Sequence, residues 1–152
     1  MKRIIFTFFT LCLLSLSANA KDVPESSVPN EVKNYVSKNY PKAVGKEWKY
    51  KDKNDTYFYY KVEFEIDGRE VELELDLSGK LLSSEEELLI KDTPSFAQDF
   101  VQKNYSGAEI LGTKKKVNSG VTSYDVGIAF DKGGHTRHRN IYFDSKGNVI
   151  KQ

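Results

Sequence analysis

Residues 60–76 read YKVEFEIDGREVELELD, and their apolar positions fall on every second residue: Tyr60, Val62, Phe64 and Ile66, then Val71, Leu73 and Leu75. That is the period of a strand with one buried face. Asp67-Gly68 lies between the two runs, and Asp-Gly marks a two-residue type I′ turn because both central residues take positive φ. Closing the turn there sets Phe64 opposite Val71, Val62 opposite Leu73 and Tyr60 opposite Leu75. The apolar face then agrees with itself across the pair, and the rest of the chain must accommodate this hairpin.

The other face of the hairpin carries Lys61, Glu63, Glu65, Glu70, Glu72, Glu74 and Asp76. In the same register Glu65 faces Glu70 and Glu63 faces Glu72, each like-charged pair unfavourable on a scale of about 0.2–1 kcal/mol. Lys61 faces Glu74, and Lys49 and Lys51 share the outward parity and can offset part of the repulsion. This face is either an acidic patch for a basic partner or divalent cation, or a solvated face whose charge discourages edge pairing. No loop has calcium-ligand spacing. Tyr57 and Tyr59 share the parity and flank the acidic strip. Exposed tyrosines bury area at low entropic cost, which makes these two candidates for partner contact.

Outward toward the N-terminus, Lys2 and Arg3 precede an apolar run from Ile4 to Leu16, and Ala18-Asn19-Ala20 places small residues at −3 and −1. These are the three regions of a secretory signal peptide, so residues 1–20 are read as cleaved after Ala20. The run is shorter than the roughly 20 apolar residues of a spanning helix. Cys12, the single cysteine, lies inside it after Leu11, which does not suit lipidation. The mature chain 21–152 is expected to lack thiol chemistry, disulfides and a membrane span, and to reside in the periplasm or outside the cell. Residues 21–90 carry 11 basic and 16 acidic side chains, a net of −5; residues 91–152 carry 10 and 6, a net of +4. Such a charge dipole suggests two unlike surfaces rather than a nucleic-acid binder.

The mature chain reads as one pattern written twice. Lys21 to Ser26 reads as a frayed lead-in. Ser27 is placed to cap a helix with Pro29 in its first turn, and Val28, Val32, Val36 and Tyr40 form an apolar stripe ended by Pro41. Trp48 and Tyr50 then alternate into a strand ahead of the hairpin. Thr93-Pro94 repeats the cap and proline, and Phe96, Phe100, Val101 and Tyr105 repeat the stripe. Pro29 maps to Pro94, Val36 to Val101 and Asn39-Tyr40 to Asn104-Tyr105, all at an offset of 65. Tyr60-Lys61-Val62 maps to Tyr124-Asp125-Val126, and Leu75-Asp76 with Gly79 to Phe143-Asp144 with Gly147. Between the copies, Lys80 to Glu87 reads equally as an edge strand or, through Ser84-x-x-Glu87, as a capping box opening a short helix. The fold class is therefore α+β: two tandem units, about 27–90 and 92–152, each one helix on a 3–4-stranded antiparallel sheet.

The string Val28-Pro29, Val32, Val36, Tyr40-Pro41, Trp48, Tyr60, Val62 and Leu75-Asp76-x-x-Gly79-Lys80-Leu81-Leu82 resembles the β-lactamase-inhibitor-like, PepSY-like family of exported bacterial proteins. Thr93-Pro94, Val101, Tyr105, Tyr124, Val126 and Phe143-Asp144-x-x-Gly147 repeat the likeness in order. The second copy lacks the tryptophan, with Thr113 near that place, and has Gly107 after Ser106 where the first has Pro41. The resemblance implies a helix-and-curved-sheet unit that binds a partner protein on its sheet, as β-lactamase inhibitor proteins do. Related PepSY modules are held to restrain secreted peptidases, which is again binding rather than catalysis.

In the second copy, Ile141 and Phe143 share the inward parity, which sends Arg137 and Arg139 to the same side and His138, Asn140 and Tyr142 to the open one. His135 and His138, three apart on a strand, point to opposite faces and cannot chelate together. Lys114-Lys115-Lys116 adds positive charge on a neighbouring strand, without the aromatic interleaving of a nucleic-acid motif. No nucleophile elbow accompanies the serines. The chain reads as a non-enzyme without cofactor or metal: a periplasmic module that binds an envelope or secreted protein through Tyr57, Tyr59, Glu63, Glu72, His138 and Tyr142. The alternative is an envelope protein that binds a small ligand or divalent cation at the Glu63–Glu72 ladder.

Overall fold

The Asp-Gly hairpin forms in the register its sequence dictates. Phe64 pairs with Val71, Val62 with Leu73 and Tyr60 with Leu75, and Asp67 and Gly68 take φ of 51° and 75° in the turn. The structure, a computed structural model, describes residues 20–52 and 58–151. The signal-peptide reading of 1–19 lies outside them. Along the chain run β1 (Ala20–Asp22), α1 (Asn30–Asn39), β2 (Val44–Asp52), β3 (Phe58–Ile66), β4 (Arg69–Asp76) and β5 (Leu81–Leu88). They are followed by α2 (Ser95–Asn104), β6 (Glu109–Asn118), β7 (Val121–Asp131), β8 (Thr136–Asp144) and β9 (Val149–Lys151). The strands form one antiparallel sheet in the order β1 to β9.

Two units of this kind can share a sheet or stack, and among the described residues they share one sheet of nine strands. The joint explains why. Strand β5 pairs with β6 so that Glu85 faces Lys116, Glu86 faces Lys115 and Glu87 faces Lys114. A run of three glutamates would leave β5 a charged edge; a run of three lysines directly across turns that repulsion into attraction. Part of the opposite net charge of the two halves is thus used inside the sheet. The stretch 80–90, ambiguous in sequence, is a strand followed by a 3-10 turn at Ile90–Asp92, with Ser84 and Glu87 in the ladder rather than in a helix cap. The lead-in is also ordered: Lys21 and Asp22 pair with Tyr50 and Lys49.

Both helices cover the same face. Directly opposed residues of an antiparallel pair share a face, and the register links Phe64 to Val71, Val71 to Glu86, Glu86 to Lys115, Lys115 to Tyr124 and Tyr124 to Phe143. At one end of that row, Val28, Val32 and Val36 pack with Trp48, Val62, Phe64, Val71, Leu73 and Leu75. At the other, Ala97 and Val101 pack with Val126, Ile128, Ile141 and Phe143.

The helix ends match in detail. Tyr40 N–H donates to Val36 O at 2.7 Å and Tyr105 N–H to Val101 O at 2.8 Å. The Asn39 amide donates to Tyr35 O, and the Asn104 amide to Phe100 O, at 2.8 and 2.9 Å. Tyr40 lies edge-on to Phe64 at 5.2 Å, and Tyr105 to Phe130 at 5.0 Å. The turns after β4 and β8 use one device. Asp76 Oδ1 accepts from the N–H groups of Ser78 and Lys80, and Asp144 Oδ1 from those of Lys146 and Asn148.

Neither expected side-chain cap forms. Both helices start after a proline, without a side-chain cap hydrogen bond. The Ser27 hydroxyl donates to Pro24 O instead, within a 3-10 turn. Thr93 is buried and shares a 2.8 Å hydrogen bond with buried Thr113. At the offset of 65 these two correspond to Val28 and Trp48, both buried in the first half. One half fills the place with valine and tryptophan; the other fills it with two threonines that satisfy each other.

Candidate partner-binding surface

The face without helices is built from the alternate residues of the same strands. Glu63 pairs with Glu72, Glu72 with Glu85, Glu85 with Lys116 and Lys116 with Ser123, which carries one face across five strands. His138, Asn140 and Tyr142 lie on this face in β8, as their parity requires.

The acidic ladder is neutralised from within. Lys61 Nζ reaches Glu63 and Glu72 at 2.7 Å each, and Lys49 Nζ reaches Glu63 at 3.2 Å. Lys61 thus bridges the like-charged pair rather than its directly opposed Glu74, which accepts from the Ser83 hydroxyl at 2.7 Å. Burial alone would raise Glu63, but the hydrogen bonds and charges of Lys61 and Lys49 hold its carboxyl below the ordinary value. Burial likewise works against the Lys61 ammonium, and its hydrogen bonds to Glu63 and Glu72 raise it nonetheless. An ammonium already stands where a cation would sit, and no group of three or more metal-ligating side chains exists among the described residues.

The second charged cluster lies on the joint. Glu85 accepts from Lys114 at 2.6 Å and pairs with Lys116 at 3.0 Å; Lys116 also approaches Asp125 at 3.7 Å, and the Asn140 amide donates to Asp125 at 2.8 Å. Burial would raise Glu85, yet the two lysines hold it below the ordinary carboxylate value. Beside this network the sheet is hollow. Gly112 and Gly127 pair directly, next to a bulge between Ile110 and Gly112, and two facing residues without side chains leave a depression. The groove has a volume of about 430 Å³, with Glu85, Lys114, Lys116, Asp125 and Asn140 around it and Leu111 and Ile90 lining it as well.

The residues singled out from sequence are spread over this face rather than gathered. Glu63 and Glu72 lie in β3 and β4, His138 and Tyr142 in β8. At about 4.8 Å between strands, β4 and β8 are roughly 19 Å apart across the sheet. His138 is exposed, and Lys151 Nζ lies 5.7 Å from the Tyr142 ring centroid. Tyr59 departs from expectation. It is only 8% exposed, and burial together with Glu74 raises its hydroxyl, so it is not an exposed anchor. Tyr57 lies outside the described residues. The groove itself escaped the sequence reading, although two glycines inside strand patterns, Gly112 and Gly127, were its available signal.

Among the described residues the geometry defines a class: one antiparallel sheet with two helices on one face and none on the other. Residues 15–83 match the family described as "Putative beta-lactamase-inhibitor-like, PepSY-like". The likeness read from the residues is therefore shown over that part of the chain. Among solved structures, a BLIP-like protein from Bacteroides fragilis is similar at 22% identity and TM-score 0.57, covering 85% of each chain. A DUF2874 family protein from Bacteroides uniformis is similar at 18% identity and TM-score 0.56, covering 81% of this chain and 86% of that one. A protein of Bacteroides eggerthii described as periplasmic is similar at 17% identity and TM-score 0.57, covering 82% and 86%. At these identities the likeness is one of fold. No curated protein matches the chain. Among the described residues, no helix is long and apolar enough to cross a membrane.

Proposed function

We propose that this chain is an exported binding module which engages another protein through the uncovered face of its sheet. In this reading residues 1–20 are a signal peptide, and 21–152 are two copies of one helix-and-strands unit fused edge to edge. The family match supports an inhibitor-like or binding role over a catalytic one. The observation that carries the proposal is the groove over Gly112 and Gly127. It is a depression of about 430 Å³ beside fixed charges of both signs, a size typical of sites that seat a small group. A partner side chain would enter there, with His138 and Tyr142 meeting it on one flank and Glu63 and Glu72 on the other. Tyr57 remains a contact proposed from sequence, and Tyr59 supports the surface from beneath.

A photo-crosslinking residue placed at Lys114 or Asn140, and for comparison at Lys38 on α1, tests this in cells that export the chain. A discrete protein adduct from the sheet-face positions and none from Lys38 is the expected result. No adduct from Lys114 or Asn140, or one from Lys38 alone, contradicts it.

A further inference from the structure

Strand β8 has a vacant outer edge. On its inner side it pairs with β7 from Thr136 to Asp144, whereas on its outer side it meets β9 only at Tyr142 and Phe143. Among the described residues, Thr136 to Ile141 pair with no strand on that side. The turn fixes which backbone groups are free. Lys132 N–H donates to His135 O at 3.0 Å, so the pair that closes the hairpin is a hydrogen-bonded one. Bonded and non-bonded pairs alternate along an antiparallel ladder. Counting from the turn, Arg137 and Arg139 bond inward to β7, and Thr136, His138 and Asn140 direct N–H and C=O outward. The far end has the same parity: Tyr142 pairs with Lys151, and Asp144 N–H donates outward to Asn148 O at 2.9 Å. Thr136, His138 and Asn140 are all exposed.

This edge is basic. From Asp131 to Lys151 there are five Lys and Arg against two Asp, and Asp144 is engaged by the backbone N–H groups of its own turn. Arg139 is held in place, its Nη1 donating to Tyr105 Oη at 2.9 Å with the guanidinium carbon 5.8 Å from that ring's centroid. Two copies of this edge brought together would set arginine against arginine, which opposes self-pairing. A strand with carboxylates has the complementary charge.

We propose that the outer edge of β8, Thr136–Asn140, accepts an extended acidic peptide segment of a partner as an additional strand of the sheet. Backbone bonds to Thr136, His138 and Asn140 hold it, and its carboxylates on the helix side meet Arg137 and Arg139. This site is an edge, not the face proposed above, and stands without it.

The probe is a short fluorescein-labelled peptide alternating Glu with Val, followed by anisotropy against the mature chain. It is compared with the same peptide carrying Lys for Glu, and with one N-methylated at alternate amides. The acidic peptide is expected to bind. The lysine peptide and the N-methylated peptide should bind at least about tenfold more weakly, since each loses charge pairing or backbone bonds. Arg137→Glu should weaken binding about tenfold. His138→Pro should do likewise, because it removes an outward N–H without breaking the ladder to β7. Should that variant not fold, the N-methylated peptide reads the same bonds from the other side. Absence of binding by the acidic peptide, equal binding after N-methylation, or equal binding of the lysine peptide would each overturn the proposal. Crosslinking at Lys114 would be unaffected by any of these outcomes.

Discussion

The turn after β4 is pressed against the first turn of α1, and a single methyl group measures that contact. Gly79 has φ +80°, and a Cβ built there lies 2.6 Å from Glu31 O and 2.8 Å from Glu31 C, both backbone atoms. An alanine therefore faces two costs. Left-handed backbone costs a residue with a Cβ about 1–2 kcal/mol. Reaching ordinary contact also demands a shift of about 0.8 Å between turn and helix, whose buried Val32 is locked in the core; overpacking of that kind costs about 1–3 kcal/mol. The expected loss for Gly79→Ala is about 2–5 kcal/mol, a large share of a domain's usual 5–15 kcal/mol. Gly68→Ala is the internal control: φ is +75°, but nothing lies within 4 Å, so only the backbone cost of about 1–2 kcal/mol applies. Gly147→Ala should fall between them, because the atoms it meets belong to the Phe96 side chain, at 2.8 Å and beyond, rather than to helix backbone. Urea unfolding of residues 21–152 reads the differences as midpoints at constant m-value. A Gly79→Ala midpoint no lower than that of Gly68→Ala would refute the close approach of helix and turn.

The buried threonine pair makes a double-mutant cycle informative. Thr93→Val or Thr113→Val alone strands one hydroxyl and should cost about 1–3 kcal/mol, while the double variant should be closer to neutral; additive losses in urea unfolding would contradict the 2.8 Å bond. Stability should also depend on pH through Glu63 and Glu85. Their folded-state values lie below the ordinary one of about 4.5, so their contribution is fully present above that value and lost as pH falls through the depressed ones. Lys61→Met should lower stability at neutral pH by about 1 kcal/mol and flatten the acid limb of the stability curve, because Glu63 loses most of its depression and with it most of its share of the pH dependence; an acid limb as steep as the parent's would contradict the bridge.

The strongest sequence signals were those whose cause is local. The Asp-Gly turn fixes a register within its own hairpin, and the stripes Val28–Tyr40 and Phe96–Tyr105 with their prolines mark helices that form at Asn30–Asn39 and Ser95–Asn104. What stayed hidden depends on residues distant in sequence. Strand β5 is ambiguous alone because Glu85 has its partner in Lys114, 29 residues later. The parity of Tyr59 was readable, but its burial was not, since that depends on how deep the sheet is beside Glu74. Ser27 and Thr93 have the composition of helix caps, and each hydroxyl found a nearer or better-buried partner. The groove exists only because the register sets Gly112 against Gly127 beside a bulge, and a bulge shifts pairing in a way that alternation does not announce.

The joint between β5 and β6 decides the fold, because across the described residues it makes one sheet, with both of their helices on one face, out of two halves. Cross-strand Hα–Hα and amide NOEs on labelled residues 21–152 test it directly. Contacts along the run from Ser83–Asn118 to Leu88–Thr113, with Glu86 opposite Lys115, are the predicted result. Their absence, with the amides of Glu85–Glu87 exchanging as freely as those of an unpaired edge, would contradict it.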